Sequence, residues 1–139
     1  MNAQVSFVVP RRIGVVLLGT GAVGHALLQQ LGPASSAGVA LVGVANSRGQ
    51  IADRDGLSLA NARARLDLQG RGRDDAALFA AMDAFHCDRR VVVDATASAE
   101  VAASHDAWLR AGYDVVTANK AAVGGTLAKW QSVQNALRA

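Results

Sequence analysis

Gly19-Thr20-Gly21-Ala22-Val23-Gly24 is the spacing in this chain with the clearest chemical use. An apolar run, Ile13 to Leu18, leads into it, and an amphipathic stretch, His25 to Leu31, follows. Strand, tight glycine turn and helix in that order suit the pyrophosphate of a dinucleotide. Gly19 permits the turn, Gly21 lets the backbone approach the phosphates, and Gly24 lets the helix pack close to the strand. The helix start at Ala22 and Val23 then offers unpaired N–H groups at the positive end of its dipole. A glycine turn that binds nothing is the bland alternative; the flanking strand and helix argue against it.

The glycines do not choose between cofactors, but the end of the second apolar run does. An acid about 20 residues past the glycines would hold the adenosine ribose of NAD. This chain has Asn46-Ser47-Arg48 there, after Val39 to Ala45. Asn46 and Ser47 can bond a hydroxyl or a phosphate, and the planar fork of Arg48 can pair with a 2′-phosphate. NADP is therefore favoured over NAD, with Arg48 as a solvated loop residue the alternative.

Other reactive side chains suggest less. Cys87 cannot form an internal disulfide, and with only His86 beside it a zinc site is not expected. His25 reads as a helix-surface or packing residue, and His86 and His105 have no partner at catalytic or metal spacing. Asp94 ends a strand and reads as structural. Trp108 and Trp130 read as packing residues, either of which can sit on an exposed apolar patch.

These groups need a scaffold, and the pattern along the chain supplies one. Residues 1–11 read as a lead-in and 12–139 as one nucleotide-binding domain. Strands are expected over Arg12–Leu18, Val39–Ala45, Arg90–Asp94 and Tyr113–Thr117. Helices are expected over Ala22–Leu31 (stopped by Gly32-Pro33), Leu57–Leu66, from Asp74 or Asp75 to about Phe85, Ala99–Ala111 (stopped by Gly112), and Leu127–Leu137 capped by Thr126. In the third of these, Ala77, Leu78, Ala81, Met82 and Phe85 form the inner face. Ala34 to Gly38 is a small-residue loop, and Asn46 to Gly56 is polar and turn-rich. Alternation of strands and helices predicts an α/β fold, a Rossmann-like doubly wound parallel sheet in a single domain. Its ligand would sit at the carboxyl ends of the strands, near Gly19–Gly24, Asn46–Arg48, Asp94–Ser98 and Thr117–Lys120.

Composition agrees with a folded domain. Of 139 residues, 51% are hydrophobic and 18% charged, which argues against disorder. No apolar run reaches membrane-span length and no signal peptide is evident, so no membrane partner and a cytoplasmic location are expected. The net charge of +3 comes from 12 arginines and 2 lysines scattered along the chain. No basic stripe with interleaved aromatics marks a nucleic-acid partner, and an anionic cofactor explains the sign more simply.

Four segments together carry a family resemblance: Gly19 to Gly24, Val44-Ala45-Asn46-Ser47-Arg48-Gly49, Val93-Asp94-Ala95-Thr96-Ala97-Ser98, and Val116-Thr117-Ala118-Asn119-Lys120. From about Arg12 onward the chain resembles the N-terminal nucleotide-binding domain of homoserine dehydrogenase, most of all the dehydrogenase half of bifunctional aspartokinase/homoserine dehydrogenases. The resemblance implies NAD(P)-dependent interconversion of L-homoserine and L-aspartate 4-semialdehyde, a step toward threonine, methionine and isoleucine. It places Ala45, Asn46, Ser47 and Arg48 at the adenosine side and Thr96, Ala97 and Ser98 along the nicotinamide. Thr117 and Asn119 become candidates for the carboxamide. Lys120 becomes the candidate catalytic residue, as a counter-charge or in proton transfer. Ser98 is as natural an N-cap as a ligand.

The resemblance also implies a second domain with the substrate site and most of the contact of a homo-oligomer. The chain is thus expected to be a piece of a longer protein that binds cofactor without turning over homoserine. Two alternatives stand beside it. One is the cofactor domain of a related amino-acid dehydrogenase such as aspartate dehydrogenase, against which Val-Ala-Asn-Ser and Thr-Ala-Asn-Lys argue. The other is a free-standing module that senses NAD(P)H.

Overall fold

The computed structural model describes residues 12–34, 37–121 and 124–139. The lead-in 1–11 and Ser35-Ser36 of the small-residue loop lie outside the described residues. The elements are β1 (Ile13–Leu18), α1 (Ala22–Ala34), β2 (Val39–Ala45), β3 (Gln50–Ala52), α2 (Ala62–Gln69), α3 (Asp75–Ala84), β4 (Arg89–Asp94), α4 (Ala99–Ala102), α5 (His105–Arg110), β5 (Asp114–Thr117) and α6 (Leu127–Arg138). They build a five-stranded sheet of order β3-β2-β1-β4-β5. The pairs β1–β2, β1–β4 and β4–β5 are parallel. The chain leaves β1 toward β2 on one side and returns to β4 on the other, so the order reverses between β1 and β4. That is the topological switch point at which ligands of such sheets bind.

Strand geometry explains the two-layer core. Successive side chains of a strand point to opposite faces. Val16 and Leu18 of β1 accordingly join Val42, Val92, Leu78, Met82, Phe85 and Trp108 on one face, beneath α3 and α5. Val15 and Leu17 join Leu41, Val44, Leu28, Ala62 and Leu66 on the other, beneath α1 and α2. Strands covered on both faces must be apolar throughout, which is why β1 and β2 read as continuous runs.

Several boundaries depart from the sequence expectation. The sheet is not wholly parallel: β3 runs antiparallel to β2, with Gln50 opposite Ala45 and Ala52 opposite Gly43. Three residues after a turn leave no periodic signature, so this edge strand is hidden in the polar stretch. α1 continues through Gly32 and Pro33 to Ala34. Pro33 has no N–H to continue the ladder, so the helix ends one residue after it, and Gly32 has no Cβ to crowd the ring. The helix expected from Leu57 starts only at Ala62, because the Leu57 amide bonds the Leu41 carbonyl at 2.7 Å and docks that segment on β2. The helix expected over 99–111 is two helices. At the break, the Ser104 amide bonds Val101 O and its hydroxyl donates to Glu100 O, competing with the helical ladder. Ala77 of α3 is exposed, whereas Leu78, Met82 and Phe85 are buried as expected.

The caps follow the sequence closely. Asp74 accepts from Ala77 N, Ser98 from Val101 N, and Thr126 from Lys129 N. Trp108 is buried against Phe79 and His105, while Trp130 on α6 is 44% exposed. Ser132 of α6 donates to the Asp106 carboxylate of α5 at 2.8 Å, and chiefly this bond lowers the Asp106 pKa. The Tyr113 hydroxyl donates to Asp83, and burial together with that carboxylate pushes the phenol up to about 12. Among the described residues, no helix is long and apolar enough to cross a membrane.

Candidate functional site

The glycine loop is the turn between β1 and α1, at the carboxyl edge of the sheet. Gly19 has φ +97°, a left-handed conformation, and a Cβ on it would meet the Ala95 carbonyl oxygen at 2.7 Å. Only glycine satisfies both constraints. A Cβ on Gly24 would lie 1.9 Å from Gly19 O, so α1 can approach the strand only without a side chain there. Gly21 differs: nothing lies within 4 Å of where its Cβ would be. Space is left open at the glycine that the sequence pattern expects to admit a ligand. The helical ladder begins with His25 N donating to Gly21 O, so the amides of Ala22, Val23 and Gly24 precede it. The first turn of α1 carries no acidic side chain to oppose an anion. Val23 is 55% exposed beside it.

The loop opens on a cleft of about 730 Å³ outside the ends of β1, β2 and β4. That volume falls within the range usual for small-molecule and cofactor sites. Thr20, Asn46, Ser47, Thr96 and Ser98, all expected at the site, line it. Asn46 shapes the turn after β2: its Oδ1 accepts from Arg48 N at 2.8 Å and Gly49 N at 3.0 Å, and its Nδ2 reaches Thr20 Oγ1 at 3.5 Å. The side chain that stands where an acid would hold a ribose thus braces the turn and carries no charge. Ala45 is fully buried at the end of β2, and its carbonyl accepts from Gly19 N at 2.8 Å. It positions the glycine loop from beneath. Arg48 lies outside the main cleft, lining a neighbouring depression of about 330 Å³ with Asp67 and Gly70.

The ends of β4 and β5 are organised around one buried carboxylate. Asp94 Oδ1 accepts from Thr96 N at 2.9 Å and Thr96 Oγ1 at 2.7 Å. Its Oδ2 accepts from Asn119 Nδ2 at 3.0 Å and lies 2.7 Å from His105 Nε2. Asp94, His105 and Asn119 are 0%, 3% and 4% exposed. His105 therefore does have a partner, contrary to the sequence expectation. A carboxylate at a strand end and a ring on the second half of a broken helix meet only in the folded chain. Asn119 Nδ2 also reaches Ser98 O at 2.8 Å, and its Oδ1 accepts from Ala121 N. Thr117 Oγ1 donates to Asp94 O and accepts from Asn119 N. Both side chains, candidates for the carboxamide, are engaged in holding the two strand ends together. Ala97 and Lys120 remain exposed beside this knot.

Arg73 and Asp75 at the start of α3, and Glu100, Val101, Ser104 and Trp108 from α4 and α5, complete the cleft. None was singled out for the site from sequence, since they come from segments with no motif. The capping signal at Asp74 was visible and brings its neighbours to the carboxyl edge of the sheet. Among the described residues, no group of three or more His, Cys, Asp or Glu side chains is placed to hold a metal ion.

Comparison with known proteins places this geometry in context. A family model described as the NAD-binding domain of homoserine dehydrogenase matches residues 19–139. Bifunctional aspartokinase/homoserine dehydrogenase 2 of Escherichia coli (strain K12) is 31% identical over an alignment of 140 positions, gaps included, that covers 96% of this chain and 17% of that protein. A Candida auris protein of unknown function has a similar fold, with TM-score 0.79 and 22% identity over 92% of this chain and 36% of the other. So does homoserine dehydrogenase from Thermoplasma acidophilum, with TM-score 0.70 and 22% identity over 91% of this chain and 40% of that one. A hyperthermophilic archaeal homoserine dehydrogenase in complex with NADPH gives TM-score 0.67 and 16% identity over 89% and 41%. The likeness to these solved structures is one of fold.

Proposed function

This chain belongs to the homoserine dehydrogenase NAD-binding domain family, and on that premise we propose that its cleft holds NADP(H) in an enzyme interconverting L-homoserine and L-aspartate 4-semialdehyde. The nicotinamide dinucleotide follows from the family; the phosphorylated form, the substrate pair and the residue roles are our inference. A single observation carries the inference. Thr20 of the glycine loop lines a cleft bounded by the ends of β1, β2 and β4, next to the open side of Gly21 and the unladdered first turn of α1. The residues fit a dinucleotide: amides for the pyrophosphate, uncharged Asn46 and Ser47 at the adenosine ribose, and small Thr96, Ala97 and Ser98 where a ring must approach closely.

Bound there, the cofactor supplies hydride exchange with the carbon bearing the hydroxyl or aldehyde. The chain's own residues bind and orient. The α1 amides and helix dipole hold the pyrophosphate. Asp94, through Thr96 and Asn119, fixes the two strand ends that form the nicotinamide wall. Lys120 follows Asn119 directly, and its ammonium supplies positive charge for the cofactor or substrate at that end. The chain spans 17% of the curated relative and 36–41% of the solved chains compared with it. We take homoserine oxidation to need a substrate-binding domain in addition to residues 12–139, and a homo-oligomer to be the working form.

Parallel calorimetric titration with NADPH and NADH tests this reading. It expects both to bind with NADPH tighter; binding of neither would overturn it. Equal affinities would leave the dinucleotide and remove the preference.

A further inference from the structure

The cation facing the cleft is not the one nearest in sequence to the end of β2. Arg48 lines the smaller depression, whereas Arg73 lines the main cleft with Thr20, Asn46 and Ser47. Arg73 is held there by a built arrangement. The Gln50 backbone pairs in both directions with Arg71, at 2.7 and 3.2 Å. Its buried side-chain amide donates to Asp74 O at 2.7 Å and accepts from Asp74 N at 3.0 Å. Gly49 completes the seam, since a Cβ there would lie 2.5 Å from Arg71 O. The segment on either side of Arg73 is thus stitched to the turn that follows β2. The guanidinium Nε and Nη2 both donate to Asp75 Oδ1, at 3.3 and 2.7 Å. This pair uses one edge of the planar fork, and a guanidinium has a second edge to offer an anion.

We propose that Arg73 binds the 2′-phosphate on the adenosine ribose of NADP(H), with Asp75 positioning its guanidinium, so that this pair and not Arg48 sets cofactor preference. The proposal rests on the cleft being the dinucleotide site. Asn46 spends its Oδ1 on the turn, and no carboxylate follows β2 directly. The Ser47 hydroxyl and the Arg73 fork line that end of the cleft beside Thr20 and Asn46, and Arg73 brings the positive charge. The competing role is for Asp75 to accept the ribose hydroxyls of NAD(H), with Arg73 as its counter-ion.

The test is calorimetric titration of the whole chain with 2′,5′-ADP and 5′-AMP, which differ only in the 2′-phosphate, alongside NADPH and NADH. Arg73→Gln should weaken 2′,5′-ADP by about 10- to 100-fold, the size of a lost charge-assisted bond. 5′-AMP should change less than about 3-fold. Arg73→Lys, a charge without the fork, should fall between, and Arg48→Gln should leave the ratio unchanged. Thermal midpoints near that of the parent are expected, because Arg73 and Asp75 are partly exposed. Unchanged 2′,5′-ADP binding in Arg73→Gln would overturn the proposal, as would a loss confined to Arg48→Gln. So would weaker 5′-AMP binding in Asp75→Asn with Arg73→Gln silent. If the parent chain binds none of the four ligands, the cleft reading itself fails and takes the proposal with it.

Discussion

Replacing Asp94 by Asn exposes how the ends of β4 and β5, the proposed nicotinamide wall, are held. The substitution changes almost no volume, so packing is preserved and only hydrogen bonding and charge are altered. Each Asp94 oxygen faces donors: Thr96 N and Oγ1 on one, His105 Nε2 and Asn119 Nδ2 on the other. An asparagine must turn its NH2 toward one of these pairs. Turned toward Thr96, it meets a backbone N–H that cannot rotate. Turned the other way, it can be met by a change of His105 tautomer, but the Asn119 amide still confronts it. Flipping Asn119 in response would break its bond from Ala121 N. At least one buried donor is left unsatisfied, costing about 1–3 kcal/mol, on top of weakened bonds to what was a charged acceptor. The expected loss is about 2–4 kcal/mol, a large share of the stability of a domain this size. At roughly 3–4 °C per kcal/mol the midpoint falls by about 6–16 °C. Urea unfolding followed by circular dichroism gives the free energy and thermal melting the midpoint. A stability within about 0.5 kcal/mol of the parent would refute this account of the buried cluster.

Further predictions concern the loop, two titrations and the second tryptophan-bearing helix. Gly24→Ala should destabilise strongly or prevent folding, because backbone and not a flexible side chain occupies the space, whereas Gly21→Ala should fold normally and lose dinucleotide binding; melting and titration of the two side by side separate structural from binding glycines. Asp106 has a pKa lowered in the fold, so its contribution is present above the unfolded value and lost as pH falls through the folded one. Ser132→Ala should raise that pKa, read by carboxyl NMR titration, and loosen α6 from α5. Tyr113 has its pKa raised to about 12, so its contribution is full below about 10, the ordinary value, and lost as pH rises toward 12. Ultraviolet titration should show the late phenolate, and Tyr113→Phe should abolish it.

The parts of this fold that announce themselves in sequence are those with a local physical cause. Continuous apolar runs mark β1 and β2 because both faces are covered, and the glycine turn is legible because Gly19 and Gly24 each answer a separate steric demand. Asp74, Ser98 and Thr126 are visible as caps for the same reason: a cap bond spans three residues. What stays hidden is made by long-range contacts. Leu57 is drawn out of a helical pattern by a backbone bond to β2. β3 is too short for a period. Asp94 and His105 become partners only after the helix between them breaks at Ser104. Arg73 reaches the cleft because Gln50 and Gly49, more than twenty residues earlier, hold its loop in place.

The most direct test of the dinucleotide site is an amide NMR titration of the uniformly labelled chain with NADPH. If the cleft binds the cofactor through the glycine loop, the amides of Gly19–Gly24, Asn46–Gly49 and Thr96–Ser98 shift together and saturably, while those at the opposite, amino-terminal edge of the sheet around Val39 and Arg89 stay still. Saturable shifts confined to that opposite edge, or no shifts at all, would contradict it.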